Sequence, residues 1–215
     1  MSRHRIEKVK CPKCGYEINA SIWDSVNVDI DPDEKPKVLD GTFFQATCQN
    51  CHFVSNLDYP CLYHDMTNKI MVQYVLSVDE AQECMEMYDD IQRKFDSELD
   101  VYRIRIVLRQ RELIEKARIF DAGYDDRVIE IMKVMLYVMV NNEKNEFYIK
   151  DILFENTETG FRLIATSEDR EYASVDFTDE MYHDVAEKFG DRIESKKPEF
   201  FIYDIKWAWS VIQQT

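Results

Sequence analysis

Cys11-Pro12-Lys13-Cys14-Gly15 and Cys48-Gln49-Asn50-Cys51-His52 are the two stretches on which the N-terminal fold turns. Each is a Cys-x-x-Cys pair, and thirty-three residues separate them. A pair with this spacing reverses the chain so that both sulfurs point to one side, where a second pair can complete a tetrahedron around an ion. Pro12 stiffens the first turn, and Gly15 admits the backbone conformation that aims amide N–H groups at sulfur. The second turn lacks both residues. Asn50 is expected to take the positive φ there, which it tolerates better than most. Four thiolates leave a divalent ion with excess negative charge, which N–H groups must offset, and Lys10 and Lys13 are placed to help.

With its four ligands filled, such an ion has no open position and does not activate water. The expected cofactor is therefore a structural zinc on Cys11, Cys14, Cys48 and Cys51. Iron in the same four-sulfur cage is the second choice, because the donors alone do not separate the two metals. Two disulfides would require export. Cys48-Gln49-Asn50-Cys51-His52 also fits the c-type haem attachment pattern, but that reading needs export too and leaves Cys11 and Cys14 idle. A thioredoxin-like redox pair would need a βαβ context that is missing here.

Working outward, Ile6–Lys10 leads into the first knuckle and Tyr16–Trp23 leads out. A short helical turn is expected from Asp31-Pro32-Asp33-Glu34 to Asp40-Gly41. Phe43–Thr47 and Phe53–Asp58 flank the second knuckle, and Cys61–His64 with Ile70–Leu76 reads as a hairpin about Met66-Thr67-Asn68-Lys69. The middle is helical. Asp79 caps a segment with apolar residues at Ala81, Cys84, Met87, Tyr88, Ile91 and Phe95. Val101–Val107 alternates as a strand with one wet face, Arg109–Phe120 is a helix ended by Gly123, and a further helix runs from Asp125 or Asp126 to about Val140. Strands return at Glu146–Phe154, Phe161–Thr166 and Glu171–Phe177, then a helix capped by Thr178 and an apolar terminal segment. Segregated helices and strands give the expected class: α+β, an N-terminal β-rich zinc ribbon followed by helices and a mainly antiparallel sheet. Two domains are expected, 1–78 around the metal and 79–215 as an acidic α+β region, with the packing of both into one unit as the alternative.

The net charge is −15. Residues 1–78 carry eight Lys/Arg against ten Asp/Glu, and the remainder nineteen against thirty-two. An acidic body repels phosphate backbones, although Arg3, Arg5, Lys8 and Lys10 leave one basic patch. No apolar run is long enough to span a bilayer, and no export signal follows the basic N-terminus. A cytoplasmic location with reduced thiols is the expectation.

Cys-Pro-Lys-Cys-Gly, then Ile22-Trp23-Asp24-Ser25-Val26-Asn27-Val28-Asp29, and Tyr59-Pro60 with Leu62-Tyr63-His64-Asp65, resemble the CpXC-domain proteins of bacteria. Arg105-Ile106-Val107, Leu113-Ile114-Glu115-Lys116 and Ile119-Phe120-Asp121-Ala122-Gly123-Tyr124-Asp125-Asp126-Arg127 extend the resemblance over roughly residues 6–140. It implies a domain named for its paired cysteines and assigns no activity.

Other clusters have plainer readings. In a strand Cys61 and Tyr63 share a face that His64 does not, so a structural His64–Asp65 contact at a hairpin end is expected in place of a Cys–His pair. His52 or His64 as a fifth ligand is unnecessary. Met132, Met135, Leu136 and Met139 mark a buried helix, with an adaptable partner groove as the minority view. Asp125 and Asp126 serve as helix caps. Phe200, Phe201, Trp207 and Trp209 are core or interface anchors. Glu180 and His183 lack a third ligand. The expected function is a non-enzymatic zinc protein acting through contacts with a protein partner, a basic one by charge. Two alternatives remain: a nucleic-acid or transcription-linked factor using Arg3, Arg5, Lys8 and Lys10, and an enzyme with a cryptic site in the C-terminal region.

Overall fold

The structure, a computed structural model, describes residues 2–94, 101–142, 149–167 and 170–213. Two compact units divide the chain, Met1–Ala117 and Arg118–Thr215. The boundary expected at 78/79 falls inside the first unit, because a strand beyond it completes the first sheet. Phe95 and the start of the strand expected at Glu146 lie outside the described residues.

The first unit is built on a five-stranded sheet in the order β1-β2-β5-β6-β7. Strands β1 (Arg3–Lys10) and β2 (Glu17–Asn27) form an antiparallel hairpin whose last pair is Lys10 with Glu17. Strand β5 (Cys61–Asp65) pairs parallel to β2, matching Asn27 with His64, and antiparallel to β6 (Ile70–Tyr74). Strand β7 (Arg103–Val107) lies parallel to β6. Alternation decides the faces: Cys61, Tyr63 and Asp65 are buried along β5, and Ile70, Val72 and Tyr74 along β6. β7 departs from the expected wet face. Arg105 is buried at 5% exposure, and its Nη1 donates to the Ile104 carbonyl at 2.8 Å. Both faces of this strand are covered.

Helix α1 (Glu34–Asp40) ends at Gly41, whose φ of 84° is the left-handed stop the sequence announced. A 3₁₀ turn then presents Phe43 and Phe44 to the core, and the short strands β3 (Gln45–Thr47) and β4 (Val54–Asn56) form a separate hairpin. Trp23, Phe43, Phe44 and Tyr59 connect this hairpin to β2 through ring contacts of 5.0–5.7 Å. Helix α2 (Val78–Lys94) follows β6, and α3 (Gln110–Asp121) follows β7.

In the second unit, β8 (Asp151–Thr157), β9 (Gly160–Ser167) and β10 (Arg170–Asp176) make an antiparallel meander in the order β10-β9-β8. Helices α4 (Asp126–Asn142), α5 (Asp179–Ser195) and α6 (Ile205–Ile212) complete it. One core joins Phe154 and Leu163 of the sheet to Ile131 of α4, Phe189 of α5 and Trp207 of α6, all buried. Thr178 caps α5 as expected, accepting from the Met181 N–H at 3.2 Å. Asp125 does the same for α4, accepting from the Arg127 N–H at 2.9 Å. Helix α4 is buried over most of its length, as expected, but of the three methionines only Met132 is enclosed, while Met135 and Met139 are 36% and 49% exposed.

Candidate metal centre

Each Cys-x-x-Cys pair occupies the tip of an antiparallel hairpin, the first between β1 and β2 and the second between β3 and β4. The two tips share one backbone plan. In the first, the Gly15 N–H donates to the Cys11 carbonyl at 2.9 Å, and the Cys11 N–H to the Tyr16 carbonyl at 2.8 Å. In the second, His52 donates to Cys48 at 2.9 Å and Cys48 to Phe53 at 2.9 Å. The residue after each second cysteine takes positive φ, 73° at Gly15 and 57° at His52. This corrects the expectation for Asn50. Matching the turns position by position pairs Gly15 with His52 and Tyr16 with Phe53, so the left-handed residue was legible from alignment of the two motifs.

Asn50 has another part. Its side-chain amide Nδ2 donates to Cys14 Sγ at 3.6 Å and so connects one turn to the other. The side-chain donor to sulfur is thus this amide, where a lysine was expected. The Tyr16 and Phe53 backbone N–H groups favour the thiolates of Cys14 and Cys51. Together they supply the offset that clustered thiolates need.

All four sulfurs lie within 4.8 Å of one another. The first cysteine of each turn meets the second of the other: Cys11 to Cys51 and Cys14 to Cys48 are both 3.6 Å apart. All are free thiols; Cys11 and Cys48 are buried, Cys51 is half-buried and Cys14 is exposed. The Tyr16 N–H, aided by the Asn50 amide, draws the Cys14 thiol down to about 6. At Cys51 the Phe53 N–H acts in the same direction but is outweighed by burial and the neighbouring thiols, which push it up to about 12. Among the described residues this is the one group of Cys, His, Asp and Glu side chains arranged to hold a metal ion. Neither His52 nor His64 joins it. Glu180 and His183 do not form a site; His183 Nδ1 meets the Asp179 carbonyl at 2.6 Å.

Cys61 and His64 occupy opposite faces of β5 as expected, with Cys61 fully buried. The expected His64–Asp65 contact is replaced by two others. His64 Nδ1 faces Asn27 Nδ2 at 3.4 Å and Nε2 faces the Tyr102 hydroxyl at 3.2 Å, while Asp65 accepts from Asn68 and Lys35. The parallel pairing of β2 with β5 makes this shell, and no local sequence signal announces it. The basic patch is largely compensated: Arg3 and Arg5 pair with Asp24, Arg5 also with Glu7, and Lys8 with Glu17.

A family model described as CpXC protein matches residues 9–133, more than half of the chain and inclusive of both cysteine turns. No curated protein and no solved structure matches. No helix among the described residues is long and apolar enough to cross a membrane. With its two hairpin tips and four converging thiols set within the matched span, the chain belongs to the CpXC family.

Proposed function

We propose that Cys11, Cys14, Cys48 and Cys51 hold one zinc ion as a closed structural centre of zinc-ribbon type, and that the protein is a non-enzymatic interaction module of the reducing cytoplasm. The observation that carries this reading is the convergence of the sulfurs. A tetrahedral ion with Zn–S bonds of about 2.3 Å requires sulfurs about 3.8 Å apart, and the two cross-turn pairs stand at 3.6 Å, with no His, Asp or Glu among the described residues joining the four cysteines. Four thiolates leave no position for water or substrate, so the ion acts on the fold. The softness of an all-sulfur set favours zinc over harder divalent ions.

The test is elemental analysis of protein purified without added metal, together with X-ray absorption at the metal edge. One zinc per chain with four sulfur scatterers is the expected result. Substoichiometric metal in the intact chain, or zinc retained by Cys48→Ser at full occupancy, would refute the site. The ion pairs of Arg3, Arg5 and Lys8 count against the nucleic-acid reading, since these cations already have carboxylate partners. Absence of salt-dependent binding to single- or double-stranded oligonucleotides is the expected outcome.

A further inference from the structure

The second unit carries a cavity that the metal centre does not use. On α4, Met132, Met135, Leu136 and Met139 fall at helical spacing on one face. With Met181 and Val185 of α5 and Leu163 and Val175 of the sheet, they line an open groove of about 260 Å³. The floor is buried: Met132, Leu136, Leu163 and Val185 are each under 9% exposed. The rim is not, because Met135, Met139 and Met181 are 36%, 49% and 38% exposed. Among the described residues, Asp184 is the single charged one in the lining.

Size, chemistry and charge each narrow the occupant. Pockets for drug-sized ligands and cofactors run from about 300 to 1,000 Å³, so this groove suits one or two apolar side chains better than a whole cofactor. Thioethers on unbranched stems repack around differing shapes, which is how methionine-lined surfaces accept peptide anchors. The unit that holds the groove is acidic: residues 118–215 hold twelve Lys/Arg against twenty-one Asp/Glu, and Glu180 and Glu187 accompany Asp184 on the exposed side of α5, with Lys188 the next residue after Glu187. A second copy of this chain would bring the same negative charge, and an anionic lipid surface or nucleic acid would be repelled.

We propose that this groove receives the apolar anchors of a basic amphipathic segment in a partner protein, with Asp184 meeting a lysine or arginine beside the anchor. Recognition is of the helix-in-groove kind. The proposal rests on the reading of the chain as an interaction module, and supplies the chemistry of its partner. It does not depend on which metal the cysteines hold.

The experiment is fluorescence anisotropy with the full chain and a dye-labelled synthetic amphipathic helix of leucine and lysine. A leucine–glutamate peptide of the same pattern is the control. Saturable binding of the first and none of the second is expected. Met135→Glu/Met139→Glu should weaken binding about tenfold or more, as removal of a central anchor site does. The direction is diagnostic, because the added negative charge alone would tighten a merely electrostatic complex. Met181→Glu, on the other helix, should repeat the loss, and Asp184→Asn should weaken binding about threefold and flatten its salt dependence. All four side chains are exposed, and circular dichroism verifies that the variants fold. No saturable binding, equal binding of the acidic peptide, or affinity unchanged by the methionine substitutions would overturn the proposal. Metal content measured on the same samples tests the zinc reading separately.

Discussion

Strand β3 buries one residue, Ala46, and β4 buries none, yet two of the four thiols stand at the turn between them. Strand β8 in the second unit buries Ile152 and Phe154, and Phe154 alone packs against Tyr124, Phe161 and Phe177 at ring distances of 4.8–6.2 Å. Fixing a residue's backbone costs roughly 1–2 kcal/mol, and burying a large apolar side chain returns about 1.5–3 kcal/mol. The aromatic meander can offset part of that cost with buried side chains of its own. The β3–β4 hairpin cannot, and neither can β1, none of whose residues is buried. The structural metal proposed above would contribute on the order of 10 kcal/mol, enough to hold two thin hairpin tips against a sheet that is otherwise well packed.

The strongest way to break this contrast is to remove the proposed ion. Chelation, or Cys48→Ser, should release metal and unfold the N-terminal part, with hydrogen-exchange protection lost first over residues 9–17 and 45–56. Amides of β8 and β9 should stay protected. Equal loss in both units, or an unchanged melting curve with metal retained, would show that the ion does not hold the hairpin tips. The converse substitution is Phe154→Ala, which opens a cavity at a fully enclosed ring and should cost about 3–5 kcal/mol. Denaturant melts should register that loss while native protein keeps its full metal content.

A finer comparison lies between the two turns. Gly15 and His52 hold equivalent left-handed positions, one at no steric cost and the other against it. An added Cβ at Gly15 would meet no atom within 4 Å, so the penalty there is conformational alone. Gly15→Ala should therefore destabilise the metal-bound protein by about 1–2 kcal/mol, and His52→Gly should stabilise it by up to about 1 kcal/mol. Thermal melts at saturating zinc measure both. Opposite signs would sharpen the equivalence of the turns, and like signs would dissolve it.

Much of the first unit was legible because its signals are local. Cysteine spacing marks the tips, Gly41 stops α1, and alternation in β5 separates Cys61 from His64. What was not legible depends on pairing between distant segments. Strand β7 joins β6 in parallel across helix α2 and so belongs to the first unit, and nothing in Arg103–Val107 names its neighbour. Propensity favours Asn50 for the positive φ, while the repeat of the first turn assigns that conformation to His52. The methionines of α4 share a helical face, and periodicity does not say how deeply α5 covers it. The same limit hid the shell around His64, whose contacts come from Asn27 on β2 and from Tyr102 just before β7.

That shell offers the smallest effect and a clean sign. Desolvation lowers the His64 pKa from its ordinary 6.5, and its contacts with Asn27 and Tyr102 are compatible with a neutral ring. The unfolded chain binds the proton more readily than the folded one, so folding stability rises with pH across this range. The contribution is complete above about 6.5 and is lost as pH falls from there through the lower folded value. Acid also protonates the cysteines and loosens the metal, so the wild-type profile alone mixes two causes. His64→Gln keeps a hydrogen-bonding side chain, removes the titration and leaves the thiols untouched. Subtracting its melting temperatures from those of the wild type between pH 7.5 and 5 cancels the metal's share. The wild type should lose stability relative to the variant on the acid side; a difference that does not change with pH would mean that the ring keeps its ordinary pKa in the folded state.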